Sequence, residues 1–232
     1  MICAIHQPQT FPWLGYFAKI VQADIFVLLD KVQFKKNEWQ NRNRIKTANG
    51  WQWLTVPVIH KFGQTIKDVK INTTTHWRNK HLQALKTNYA KALYFDQLMP
   101  EIESLYRNDW QDLSSFNIAG IRWLNQKLGI DTPIEIASTM DDLENSPDIS
   151  SEDRLIIITK LLHADSYLSG AGGRDYLQQE LFPKNGLNLI FQEYTHPVYN
   201  QMFGDFISHL SVLDLLFNEG PKSLQIIEGG IR

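Results

Sequence analysis

At 232 residues the chain is long enough for one domain or two small ones, given about 100–200 residues per domain. It is 43% hydrophobic and 21% charged, which excludes a disordered, collagenous or low-complexity protein. A net charge of -2 argues against a general polyanion binder, and no apolar run reaches the roughly 20 residues of a membrane helix. A single cysteine, Cys3, excludes an internal disulfide and a Cys-rich metal site. The opening MICAIHQPQTF lacks the basic and long apolar stretches of a signal peptide, so a cytoplasmic protein without membrane insertion is expected.

Residues 2–6 (ICAIH) are short and apolar and predict a buried strand ending at Gln7-Pro8. Pro12 suits the first position of a helix over about 13–22, and residues 25–29 (IFVLL) predict a second strand closed by Asp30. Strand, helix and strand in this space make a βαβ unit with parallel strands. Residues 39–47 and 51–58 predict an antiparallel hairpin turning at Asn49-Gly50, with a further strand at 66–71. Helical spacing follows at 76–92, 98–107 and 110–128, then a strand at 134–137. Residues 138–153 carry Asp141, Asp142, Glu144, Asp148, Glu152 and Asp153 and read as a solvated loop ending in a cap at Ser150 or Ser151. A helix at 152–163, a strand end at 167–169, a tight turn at 170–173, a helix at 174–181, a strand at 187–193 and an apolar helix at 205–217 complete the chain. A buried Asp214 in that last helix needs a partner, a helix N-terminus or an Arg.

The order favours a single α/β domain over 1–232. It has a mostly parallel sheet with helices on both faces, a hairpin insertion at 31–72 and a helical section at 76–130.

Three constellations carry candidate chemistry. The first is the turn after strand 1, with His6, Gln7, Thr10, Trp13, Gly15 and Tyr16. Ligands of open parallel sheets bind at the carboxyl ends of strands, and helix starts attract anions. Gly15 costs about 1 kcal/mol in a helix, so it marks a close approach by a ligand or by another backbone, or else tight helix–sheet packing. The second is the basic segment around Lys35, Lys36, Trp39, Asn41, Arg42 and Arg44. Arg42 and Arg44 share one strand face and suit bidentate recognition of phosphate, while Asn41 and Asn43 share the other. The alternative is a solvated edge strand. The third is Ser169-Gly170-Ala171-Gly172-Gly173-Arg174-Asp175-Tyr176, a glycine-rich turn able to form an anion-binding nest or simply a tight turn, with Arg154 near the same rim. It is neither a dinucleotide fingerprint nor a Walker loop. Asp30, at the end of a strand, is a further substrate-binding candidate. Scattered histidines predict no metal site, and a buried Cys3 predicts no covalent thiol.

These residues resemble the WbqC-like protein family. The resemblance rests on His6-Gln7-Pro8, Pro12-Trp13-Leu14-Gly15-Tyr16, Ala23-Asp24, Asn41-Arg42-Asn43-Arg44-Ile45 and Leu54–Pro57. Later stretches at Tyr167–Gly170, Asp175–Leu177 and Leu213–Phe217 also fit, so it covers nearly the whole chain. It implies a link to bacterial surface-polysaccharide (O-antigen) gene clusters and leaves the activity open. A more distant likeness joins nucleotidyltransferases and pantothenate synthetases, whose first helix starts with His-x-Gly-His. Gly15 aligns there, but Trp13 and Tyr16 replace both histidines, which counts against adenylyl transfer.

Two functions follow as expectations. One is an enzyme of cell-surface polysaccharide synthesis that transfers a nucleotidyl or acyl (including aminoacyl) group on a phosphorylated or nucleotide-linked small molecule. His6 is then the acid–base residue, and a nucleoside triphosphate with Mg the candidate cofactor. The other is a non-catalytic binding or assembly protein, favoured by an exposed aromatic patch away from the basic cleft. A homodimer fits either.

Overall fold

The structure, a computed structural model, describes residues 1–140 and 149–232. The amino-terminal half contains β1 (Ile2–His6), α1 (Leu14–Val21), β2 (Ile25–Leu28), β3 (Arg42–Thr47), β4 (Gly50–Thr55), β5 (Val58–Ile59), β6 (Lys70–Ile71), α2 (Trp77–Tyr89), α3 (Phe95–Arg107) and α4 (Leu113–Leu128). The remainder contains β7 (Ile134–Ile136), α5 (Ser151–Leu161), β8 (Ser166–Ser169), α6 (Leu181–Lys184), β9 (Asn188–Phe191), α7 (Val212–Glu219) and α8 (Ser223–Glu228). The acidic residues Asp141, Asp142, Glu144 and Asp148 lie outside the described residues.

Five strands form a parallel sheet in the order β7-β2-β1-β8-β9. β1 is apolar almost throughout because both its faces are covered. Ala4, Phe26, Leu28 and Leu168 join one core, with Tyr16, Phe17 and Ile20 of α1 and the apolar sides of α4 and α7. The alternate residues Cys3, Ile5, Val27 and Tyr167 join the other, with Leu155 and Ile158 of α5 and Phe182 of α6. This is the expected sheet between two helical layers. β3 and β4 form the expected separate antiparallel hairpin, turning over Ala48-Asn49, with Gly50 opposite Thr47 at a φ of 114°.

Local signals account for several boundaries. Ser150 caps α5, its Oγ accepting from Asp153 N at 3.0 Å. Gly129 ends α4 in the left-handed region, at a φ of 73°. Pro12 lies outside α1, whose N-cap is Trp13. Elsewhere the elements are shorter than expected. Residues 66–68 form a 3-10 turn and only Lys70–Ile71 pair as a strand. The helix expected at 174–181 is a 3-10 turn over Ala171–Asp175 followed by α6.

The helix expected from 205 starts only at Val212, capped by Ser211. Long-range side chains hold the backbone before it. Gln201 donates to Ile207 O and accepts from Ile207 N, each at 2.9 Å, and Lys46 Nζ donates to Asp205 O. Asp214, fully buried, lies in the first turn of α7, the helix N-terminus being one of the two expected partners, and no Arg among the described residues pairs with it. It accepts from Tyr89 Oη at 2.7 Å and Tyr199 Oη at 2.8 Å. Tyr89 Oη in turn accepts from Lys46 N of β3 at 3.0 Å.

Candidate active site

β1 and β8 pair only through Ile2↔Ser166, Cys3↔Tyr167 and Ala4↔Leu168. Beyond Ala4, β1 continues with β2, while Ser169 of β8 pairs with Phe191 of β9. The two central strands therefore part where their connections run to opposite sides of the sheet. Such a switch point is where open parallel sheets bind ligands. A cleft of about 580 Å³ opens there.

Its floor holds Lys19 and His6. Lys19 comes from α1, is 2% exposed, and donates from Nζ to Ile5 O at 2.8 Å. Its Nζ lies 5.9 Å from the centre of the Tyr167 ring. No carboxylate among the described residues pairs with it. Burial brings its pKa down to about 7. His6 Nδ1 lies 3.2 Å from Gln7 O, and its ring meets Tyr16 edge-on at 4.8 Å. Burial, and then the nearby Lys19 charge, push the imidazole down to about 3, so His6 is neutral at pH 7. Its acid–base role thus narrows to that of an uncharged hydrogen-bonding group. Burial pushes the Cys3 thiol up to about 12, which suits a core residue rather than a nucleophile.

The rim is basic. Lys35 and the half-buried Arg154 line it, and neither side chain has a hydrogen bond or ion pair to a described residue. No Asp or Glu among the described residues lines the cleft. Gly170, Gly172 and Gly173 form another wall. They make no nest, because none of the three has a positive φ and Gly173 N bonds back to Gly170 O at 2.9 Å. Gly173 instead makes room for the Ser169 side chain, while a Cβ on Gly170 or Gly172 would meet nothing within 4 Å.

Several expected ligand contacts are instead structural. Thr10 is buried, donating to Asn117 Oδ1 at 2.8 Å and lying 3.0 Å from Gln40 O. Asn41 is spent on Val56 O and Asn37 N. Asp30 accepts from Ser138 N at 3.0 Å and from Ser114 Oγ, joining the end of β2 to α4. Tyr16 is buried and donates to Gln7 O at 3.1 Å, which braces His6 and keeps its own ring from substrate. Gln7 does line the cleft, its Oε1 accepting from Gln40 Nε2. Gly15 is explained by a ring rather than a ligand, because a Cβ there would strike the indole of Trp13. That indole stacks on His209 at 4.9 Å and meets Tyr194 edge-on at 5.8 Å. Arg174 is exposed, paired with Glu193 at 2.9 Å and stacked on Phe191. Lys36 is exposed and outside the cleft lining.

Arg42 and Arg44 do share one face, and their hairpin does pack on the first βα turn, through Asn43 Nδ2 to Phe11 O at 2.7 Å. Neither lines the cleft. Arg42 stacks 4.1 Å over Trp53, and Arg44 lies 5.1 Å from Trp51 and 5.6 Å from Trp39 while donating to His209 O at 3.1 Å. Trp39 thus belongs to this aromatic face. Stacking on indoles holds both guanidiniums where phosphate beside His6 was expected to.

Lys19 is a cleft residue that the sequence reading missed; Tyr167 entered it only as the end of a strand, and Ser169 and Tyr176 only as the flanks of the glycine-rich turn. For Lys19 a signal existed, since it is the one charged residue in α1 (LGYFAKIV), otherwise apolar apart from Tyr16. No group of three or more metal-ligating side chains occurs among the described residues, and no described helix is long and apolar enough to cross a membrane.

The model of the WbqC-like protein family matches residues 7–226. An uncharacterized protein of Mycobacterium tuberculosis, Rv1507c, is 34% identical over 225 residues, covering 95% of this chain and 94% of its own. No solved structure matches.

Proposed function

The chain belongs to the WbqC-like protein family, and from that premise we propose that it is an enzyme acting on a phosphorylated or nucleotide-linked small molecule in the cleft between β1 and β8. The reaction class is nucleotidyl or acyl transfer in bacterial cell-surface polysaccharide synthesis. The observation that carries this reading is the cleft itself, at the switch point of a parallel sheet, with Lys35 and Arg154 on its rim and no Asp or Glu among the described residues that line it. Lys35 and Arg154 take the phosphates. Neutral His6 orients a polar group of the substrate, and Gly170 and Gly172 let the ligand approach the backbone closely. A nucleoside triphosphate would bring Mg on its own phosphates, since the described lining offers no carboxylate.

The test is a thermal-shift screen with nucleotides, nucleotide sugars and acyl-CoAs. A ligand at 100 times its Kd stabilises the native state by about 2.7 kcal/mol. A hit should shrink in Arg154→Ala and Lys35→Ala. Shifts unchanged in both variants refute the site.

A second reading, a non-catalytic binding protein, is favoured by the hairpin face. There Trp51 is 44% exposed beside Trp53, Trp39, Arg42 and Arg44. A ligand that binds there and ignores Arg154 would support it.

A further inference from the structure

The cleft contains an amine that phosphate recognition leaves unused. Lys19 Nζ sits at the floor, where β1 and β8 separate, and its hydrogen bond to Ile5 O anchors it beside His6 and Tyr167. A buried lysine ordinarily has a carboxylate partner, and this one has none among the described residues. Lys35 and Arg154 hold the rim of the same cleft, and the Tyr176 and Ser169 side chains line its wall.

We propose that Lys19 Nζ forms an imine with a phosphorylated aldehyde or ketone held in this cleft, an inference that rests on the cleft being a phosphate-ligand site. The nitrogen lone pair forms a bond to the carbonyl carbon as the C=O π pair moves to oxygen. That oxygen takes up a proton while nitrogen gives one up, and the product is a carbinolamine. The carbinolamine hydroxyl then takes up a proton, its C–O bond breaks and water leaves, while nitrogen gives up its remaining proton as the C=N bond forms. Amine and carbonyl become imine and water, with no oxidant or reductant. The Tyr176 phenol, which lines the same cleft, supplies a hydrogen bond to the carbonyl oxygen. Burial also keeps the amine nucleophilic. With a pKa of about 7, its free-base fraction at pH 7 is on the order of 1,000 times that of an ordinary lysine.

Pyridoxal 5′-phosphate, an aldehyde bearing a phosphate, is a suitable probe. The intact protein is treated with it at pH 7, reduced with borohydride and mapped by peptide mass spectrometry. Pyridoxine 5′-phosphate, which has the phosphate and no aldehyde, reports binding alone by thermal shift. The expected result is stabilisation by pyridoxine 5′-phosphate and label at Lys19 about tenfold above any other lysine. Excess pyridoxine 5′-phosphate should reduce that label. Stabilisation with label only on surface lysines overturns the imine and leaves the phosphate reading standing. Neither stabilisation nor Lys19 label overturns both. Lys19→Met, which keeps the length of the side chain, should lose the label, and the wild-type peptide map decides the matter even if that variant folds poorly.

Discussion

Gly15→Ala should destabilise the protein, against the ordinary preference of helices. In a helix, alanine is favoured over glycine by about 1 kcal/mol. Here a Cβ would lie 2.7 Å from Trp13 Cζ3 and nearer still to Cη2 and Cζ2, whereas real Cβ atoms essentially never approach within 3.0 Å. The ring cannot retreat freely, because it is packed on His209 and Tyr194. Overpacking costs about 1–3 kcal/mol, and each lost ring contact adds about 0.5–1.5 kcal/mol. The net expectation is a loss of about 2 kcal/mol, read as a lower midpoint in urea denaturation at unchanged m-value. In a Trp13→Ala background the clash is gone, and the same substitution should stabilise by up to about 1 kcal/mol. The sign reversal is the decisive feature. A loss of equal size in both backgrounds would show that something other than the indole requires glycine.

Other expectations follow from the same geometry. Lys19 has a folded pKa of about 7 against 10.5 for the free side chain, so between these values the unfolded chain binds the extra proton and stability rises with pH. The Cys3 thiol opposes this above pH 9, because burial keeps it protonated up to about 12. Between pH 7 and 9 the wild type should therefore gain stability relative to Lys19→Met, by at most about 1.4 kcal/mol per pH unit, and parallel denaturation profiles would refute the assignment. Asn117→Ala strips Thr10 Oγ1, Gln40 O and Pro8 O of a buried partner and should cost about 2–4 kcal/mol in urea titrations; a loss below about 1 kcal/mol would mean that water replaces it. Gly173→Ala drives a Cβ into Ser169 and should lower the Tm. Gly172→Ala meets open space and should leave stability within about 0.5 kcal/mol while weakening cleft ligands; the reverse ranking would refute the wall assignment.

Local patterns carried the sheet and the general position of the site. Two apolar runs separated by Gln7-Pro8 and a short helix could pair only in parallel, and the Ser150-Ser151 pair marked the start of α5, with Ser150 the one that caps it. His6, Gln7, Arg154 and the glycines at 170–173 were legible because each stands where a strand ends or a helix begins, and Lys35 because it belongs to the basic run between β2 and β3; all line the cleft. What escaped was set by partners distant in the chain. Residues 205–210 have a helical composition, yet Gln201 and Lys46 take the backbone groups that a helix would use. The Arg42–Arg44 alternation was legible, but the indoles that capture both guanidiniums come from residues 39, 51 and 53, and no spacing rule reports that stacking. Lys19 reads as a helix lysine whose head reaches water until the parting of β1 from β8 is known.

The Asp214 carboxylate has a consequence for the order in which the chain folds. Tyr89 and Tyr199 close on it from α2 and from the approach to α7, and Tyr89 passes the contact on to β3 through Lys46 N. The first of these bonds spans 125 residues and the last 43. Closing such loops costs entropy before any bond is gained, so this junction should consolidate late, after the local helices have formed. The hairpin at 42–55 therefore cannot behave as a detachable appendage. Its final registration awaits the carboxyl-terminal helix, and a chain interrupted before Asp214 would leave β3 without the lock that joins it to α2 and α7.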